Sequence, residues 1–264
     1  MKHSLKVVPP IRLKDFDTDF HDGLHKDKTR EKTAKICERI GELQALLNAN
    51  ASHSVIILLQ GMDTSGKDGA IKHVLDAVNP AGVETANFKV PSAEERAHDY
   101  LWRIHKAVPR HGNIGVFNRS HYEDVLIVRV MKFQPEHVWR ARYAQINAFE
   151  KHLTENRVIL LKFFLHISKE EQAERLKARL DDKRKNWKFE KADLLMRAKW
   201  GEFQKAYEDV LNRCSTSWSP WHIVPANRKW YRDYVIARTF ADALEKLKLK
   251  WPKSREDLSK IKIV

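Results

Sequence analysis

The sequence predicts an α/β fold in which a mainly parallel sheet is covered by helices on both faces. Three observations carry that expectation. Short apolar runs alternate along the chain with segments of helical periodicity, the order of a parallel sheet with crossover helices. One such run, "SVIILLQ" (54–60), feeds a glycine-containing loop and then a helix. The 264 residues suffice for one domain of this kind with a complete core.

Residues 1–28 are polar and contain proline, and read as an extended arm ahead of a single domain over 29–264. From Thr29 to Asn48, the residues Ile36, Ile40, Leu43 and Leu47 recur at helical spacing. "SVIILLQ" is a short apolar run that ends before a glycine, as a buried strand covered on both faces does. "GKDGAIKHVLDAV" turns helical behind it, and "ETANFKVP" (84–91) reads as a second strand. Ser92 and Glu95 have the spacing of a capping box and start a helix that runs to about His105. "NIGVF" (113–117) is the third strand. Pro135 opens a long helix carrying Val138, Arg142, Ile146, Phe149 and Leu153, because proline suits a first helical position. "RVILLKFFLHIS" (157–168) is the longest apolar run and the expected central strand. Ser168 and Glu171 form another candidate capping box, ahead of a helix from Lys169. A further helix spans about 192–213, "SPWHIVPAN" holds a short fifth strand, and "KWYRDYVIARTFADALEKL" is the closing helix.

The net charge of +14 suits a polyanionic partner: nucleic acid, an anionic membrane or a phosphate polymer. Cys37 and Cys214 lie in helical segments with no metal-ligand spacing, which reads as free thiols in a reducing cytosol. The N-terminus has no apolar core of signal-peptide length. No stretch approaches the roughly 18 apolar residues of a spanning helix. The expectation is a cytoplasmic protein without a membrane partner.

Three clusters carry chemistry. In "LLQGMDTSGKDGAIKHV" (58–74), Gly61, Gly66 and Lys67 match the phosphate-loop pattern G-x-x-x-x-G-K-[ST], but Asp68 stands where the hydroxyl belongs. Backbone N–H groups, the helix start and the lysine all favour bound phosphate. The stretch from Gly61 through Met62, Asp63, Thr64, Ser65 and Gly66 to Asp68 and Gly69 is therefore assigned to phosphate binding. A carboxylate facing phosphate repels it unless a cation lies between, and magnesium bridges the two. At least one of Asp63 and Asp68 should then face a metal, although Asp68 is also favourable as a solvent-facing acid in a helix's first turn.

The second cluster is "GVFNRSHYEDVL" (115–126). Arg119 follows the third strand, with Glu123 and Asp124 about a turn later. This offers an arginine for phosphate oxygens and metal-directed carboxylates; the alternative is a structural ion pair among the three. His121 is a further candidate for phosphate. In the third cluster, Arg175 and Arg179 share a helix face, followed by Lys183, Arg184, Lys185, Lys188 and Lys191. This basic module, at about 172–195, is either a solvated face or a lid that closes over phosphates. Trp218, Trp221 and Trp230 fall near the last strand, where this architecture can place a nucleobase pocket.

Taken in order, "MDTSGKDG", "DYLWRIHKAVPRHG", "FNRSHYEDVL", "FFLHISKEEQAERLKARL", "WKF" and "PWHIVPANRKWYRDY" resemble the polyphosphate kinase 2 family from about residue 15 to 250. These are P-loop phosphotransferases that use inorganic polyphosphate to phosphorylate nucleotides. "GKDG" and "RSHYEDV" are similar to the third class, whose members act on AMP and ADP, rather than to the ADP-preferring class with "GKGG" and "RSWYNRAGVE".

The resemblance implies a P-loop kinase-like three-layer α/β/α fold with a mainly parallel five-stranded sheet and a helical lid. It implies a phosphate-binding role for Lys67, a catalytic and metal role for Asp63, and the second-motif arginine in Arg119. Asp124 matches that motif's metal-directed acid, with Glu123 its acidic neighbour, and Arg175, Arg179 and Lys188 fall in the lid. Asn227 stands where other members often have aspartate. The family's loop also lacks the hydroxyl after lysine, so Asp63 and Asp124 are expected to share the metal: magnesium, with manganese as the alternative. The expected partners are inorganic polyphosphate and AMP, ADP and ATP, with no specific nucleic acid. A homo-oligomer, dimer or tetramer, is expected, the Thr29–Asn48 helix being one contact surface. Two rival readings are an ATP-dependent nucleotide kinase and a non-enzymatic nucleic-acid-binding protein. The first should carry Ser or Thr at position 68. The second needs a recognition helix or stacking sheet that the sequence does not show.

Overall fold

The computed structural model describes residues 5–254, 256, 257 and 261, and within them six strands form one sheet. They are β1 (Leu5–Lys6), β2 (Ser54–Gln60), β3 (Val83–Asn87), β4 (Ile114–Asn118), β5 (Val158–His166) and β6 (Trp221–Pro225). Their order is β1-β6-β5-β2-β4-β3. The five expected strands run parallel, and the arm adds β1 antiparallel at the edge.

The helices are α1 (Lys26–Asn50), α2 (Lys67–Val74), α3 (Ala93–Ala97), α4 (Trp102–Lys106), α5 (Ile127–Val130), α6 (Glu136–Glu155), α7 (Lys169–Asp181), α8 (Lys191–Ala198), α9 (Trp200–Cys214) and α10 (Lys229–Glu245). Alternate residues of a strand face opposite sides, and β2 shows the consequence. Val55, Ile57 and Leu59 join a core with α1, α2 and α10, whereas Ile56 and Leu58 join one with α6 and α9. This is the expected three-layer arrangement. The apolar stripe of α1, including Ile36, Ile40, Leu43 and Leu47, is buried within the subunit. A second copy meeting this helix therefore meets its polar side. Both cysteines are buried and free, and burial pushes their thiols up, Cys37 to about 11 and Cys214 to about 12.

Four local expectations differ from the structure. The helix expected from Ser92 to about His105 is two helices. Its capping box is present, but Asp99 breaks it by accepting the Leu101 N–H on its side chain and the Trp102 N–H on its carbonyl. Pro135 is the N-cap of α6 rather than its first residue. The buried face of α6 is Trp139, Tyr143, Ile146, Glu150 and Leu153, so Val138, Arg142 and Phe149 flank it half-buried. The helix expected over 192–213 breaks at Lys199, which lets Met196 and Phe203 line one cleft.

A parallel sheet gathers its strand-to-helix loops at one edge. The Arg119 N–H bonds the Leu59 carbonyl and the Ala226 N–H bonds the His166 carbonyl. The loops after β2, β4, β5 and β6 thus lie side by side.

Candidate active site

The loop after β2 keeps its two glycines for close approach. Gly66 has φ 101°, and a Cβ there would collide with the Arg232 guanidinium. A Cβ on Gly61 would sit 2.7 Å from the Leu165 carbonyl oxygen. Between them Thr64 holds φ 64°, a left-handed conformation uncommon for a threonine. Lys67 opens α2, and its buried Nζ donates to the carbonyls of Gly61 (2.9 Å) and Met62 (3.3 Å) and to Ser65 Oγ (3.5 Å). Burial, then the neighbouring Arg119 charge, lower its pKa to about 8 against the pull of Asp63, Glu123 and Asp68.

That value predicts a pH dependence. Lys67 should lose its charge progressively as pH rises through about 8 in the free protein, and an anion restores that charge by raising the pKa. Binding therefore takes up a proton, and polyphosphate affinity should fall as pH rises past 8, by at most about tenfold per unit. Calorimetry in buffers of different ionisation enthalpy would show the uptake; a pH-independent affinity between pH 8 and 9.5 would exclude it.

Arg119 also holds a left-handed φ, 64°. Its guanidinium donates to Asp63 at 2.9 Å and pairs with Glu123 at 3.6 Å. Burial works against this charge, but Glu123 and Asp63 outweigh it and raise the Arg119 pKa. Burial raises the Glu123 pKa, opposed by Arg119 and Lys67. Asp63, Arg119 and Glu123 line one cleft with Phe203 and Tyr207.

Asp124 lies otherwise than its expected partnership with Asp63. It pairs with Arg142 at 3.1 Å and Arg103 at 3.9 Å, and burial raises its pKa against both. The carboxylate brought beside Asp63 is Glu123. Asp68 is exposed, accepts from Asn118 at 2.8 Å and lies 3.9 Å from Lys188. No group of three or more metal-ligating side chains occurs among the described residues. Two carboxylates beside a phosphate loop nonetheless fit magnesium, which commonly takes one or two carboxylates and completes its shell with substrate phosphate and water.

Arg175 is not free to act from a lid. Its Nε donates to Glu171 (2.6 Å), one terminal nitrogen to the carbonyls of Thr64 (2.9 Å) and Ser65 (3.0 Å), and the other to those of Ala226 (2.6 Å) and Asn227 (3.0 Å). A guanidinium has five N–H donors, and all are engaged, so Arg175 braces the phosphate loop against the turn after β6. The same bond takes Glu171 away from the expected capping box: Ser168 Oγ accepts the Glu171 N–H, but Glu171 turns to Arg175. Arg179 faces the basic module, 3.4 Å from both Asp193 and the Lys188 carbonyl. Asn227 ties the arm to α7, accepting from the Ser168 N–H and donating to Thr18.

His121 is buried against Glu150 and not at the phosphate site. The three tryptophans have separate surroundings: Trp221 is core against Tyr122, Trp230 meets His21, and Trp218 lies by Lys151. Three residues at the site were not singled out by sequence. Arg232 backs Gly66 and Gly69 and is paired with Asp233. Gln172 donates to the Asp63 carbonyl. Burial, and then the charge of Asp63, raise the pKa of Asp193. Arg232 stood within the quoted "KWYRDY", but nothing local marks it as a neighbour of a loop more than 160 residues away.

The family model described as polyphosphate kinase 2 matches residues 23–252. An AMP/ADP-polyphosphate phosphotransferase from Meiothermus ruber is 46% identical over 266 residues, covering 99% of each chain. An ADP-polyphosphate phosphotransferase from Rhodopseudomonas palustris is 44% identical over 229 residues, 82% of this chain and 79% of the relative. The crystal structure of a polyphosphate kinase 2 from Arthrobacter aurescens superposes with a TM-score of 0.94 at 42% identity, covering 97% of this chain and 92% of that one. With the loop, the Arg119 motif and the five parallel strands all inside the residues that the family model matches, the chain belongs to the polyphosphate kinase 2 family.

Proposed function

We propose that this polyphosphate kinase 2 transfers the terminal phosphoryl group of inorganic polyphosphate to both AMP and ADP, reversibly and with magnesium or manganese. The observation that carries the reading is the meeting of Lys67 and Asp63, from the loop after β2, with Arg119 and Glu123, from the turn after β4. The attacking atom is a phosphate oxygen, already ionised at neutral pH, so no strong general base is needed. Catalysis rests on alignment and charge neutralisation. Lys67 and Arg119 hold phosphate oxygens. Asp63 is the first metal-directed acid, and Glu123 is a better second than Asp124, whose carboxylate two arginines already occupy. A bound divalent ion would neutralise the phosphates that these carboxylates otherwise repel.

Arg179 and Lys188 lie on the module that would close over the substrates. Lys188 already reaches Asp68 at the loop. The formal charge of +14 supports a path for a polymer carrying about one negative charge per phosphate. Use of both AMP and ADP is supported by "GKDG" and "RSHYEDV", and nucleotide substrates support a cytoplasmic location. Among the described residues no helix is long and apolar enough to cross a membrane.

Incubation with AMP, magnesium and long-chain polyphosphate in the absence of ATP should yield ADP and then ATP. Asp63→Asn should lower that turnover at least about a hundredfold with the melting temperature kept within a few degrees. Nucleotide phosphorylation seen only with added ATP as donor would overturn the reading.

A further inference from the structure

We propose that a buried ion pair, Glu150 with Lys162, positions Arg119 and Glu123 for phosphoryl transfer by gripping His121 and Tyr122. The inference rests on the reading of Arg119 and Glu123 as phosphate-site groups.

Lys162 lies in the middle of β5 and Glu150 on α6, and both are fully buried. The Lys162 ammonium has three donors, and three acceptors meet it: Glu150, the Tyr122 hydroxyl (3.0 Å) and the Cys214 carbonyl (2.7 Å). Glu150 Oε1 accepts from the Tyr122 hydroxyl at 2.7 Å and lies 3.1 Å from His121 Nε2. Burial opposes the charge on Glu150, but Lys162 and His121 outweigh it and hold the carboxyl below its ordinary pKa.

A buried ion pair is weak evidence of stabilisation, because desolvation offsets much of its attraction and apolar residues often serve as well. What this pair does hold is specific. The single 3-10 turn His121–Asp124 sends His121 and Tyr122 inward to the pair, while Arg119 and Glu123 on either side line the cleft. A turn this short has only a few hydrogen bonds of its own, from the Glu123 N–H to the Ser120 carbonyl and from the Val125 N–H to the Tyr122 carbonyl, to keep it in place. The left-handed Arg119 persists only where its surroundings enforce it. Anchoring the turn to the sheet and to the 20-residue α6 supplies that enforcement. In a reaction that depends on alignment, a small displacement of Arg119 and Glu123 lowers the rate steeply.

Tyr122→Phe tests the link. It removes only the hydroxyl and keeps the ring against Trp221. At saturating AMP and polyphosphate, kcat should fall about tenfold, with both KM values within twofold of wild type. Ile40→Val in α1, a core change away from the turn, should lower the melting temperature comparably and leave kcat unchanged. Glu150→Gln should reproduce the kcat loss, and it carries the comparison if Tyr122→Phe does not fold. In a Glu123→Gln background, Tyr122→Phe should lower kcat less than twofold further, because both act on one constellation. A wild-type kcat for Tyr122→Phe and Glu150→Gln beside an impaired Glu123→Gln would overturn this positioning role alone. Independent, multiplying losses would overturn it too. A wild-type kcat for Glu123→Gln would instead bring down the site reading, and this inference with it.

Discussion

Lys67→Ala should lower ADP formation from AMP and polyphosphate by about a thousandfold while leaving the protein folded. Loss of one preorganised donor to developing phosphate charge typically costs two to three orders of magnitude. Here the donor also closes the loop, through the Gly61 and Met62 carbonyls. The fold should survive, because truncation removes a charge that burial already disfavours. Circular dichroism should show a melting transition within a few degrees of wild type. Near-normal ADP formation by the folded variant would remove Lys67 from the mechanism.

Arg175→Lys should fail almost as badly as Arg175→Ala, with turnover down about a hundredfold in each. The reason is shape rather than charge. A planar fork with five donors reaches Glu171 and four carbonyls of two separate loops, and an ammonium on a flexible stem offers three donors from one point. Without the fork the Thr64–Ser65 backbone loses its tie to Ala226 and Asn227, and the phosphate cradle loses preorganisation. Added guanidinium should partly restore Arg175→Ala, and methylammonium should not. Arg179→Ala, in the basic module, should leave the loop intact and slow turnover less. Full activity in Arg175→Lys would show that charge alone suffices and that the brace is incidental.

The position of Arg175 illustrates where sequence reasoning stopped. Its four-residue spacing from Arg179 puts both on one helix face, and the resemblance implies the same lid for both. Helix spacing, however, says nothing about what meets each turn. The turn carrying Arg175 meets the phosphate loop and the end of β6, and the turn carrying Arg179 meets Asp193. The same limit applies to Glu123 and Asp124. Adjacent residues of a 3-10 turn point roughly 120° apart. Which of the two faces Asp63 depends on Arg103 and Arg142, brought by α4 and α6 to claim Asp124.

Local pattern was enough for much else. Ser54–Gln60 is apolar at its five central positions, is followed by a glycine and leads into Lys67, and those facts determine strand, loop and helix together. The five parallel strands and the phosphate loop at their carboxyl edge follow from periodicity and motif, which depend on neighbours in the chain; the family follows from the resemblance of the ordered motifs. The antiparallel β1 has only two residues and so no period to detect. The brace by Arg175, the pairing of Asp124 with Arg103 and Arg142, and the ion pair under Tyr122 were decided by tertiary structure. Each depends on groups far apart in sequence, whose contacts exist only once the sheet has set its strand order.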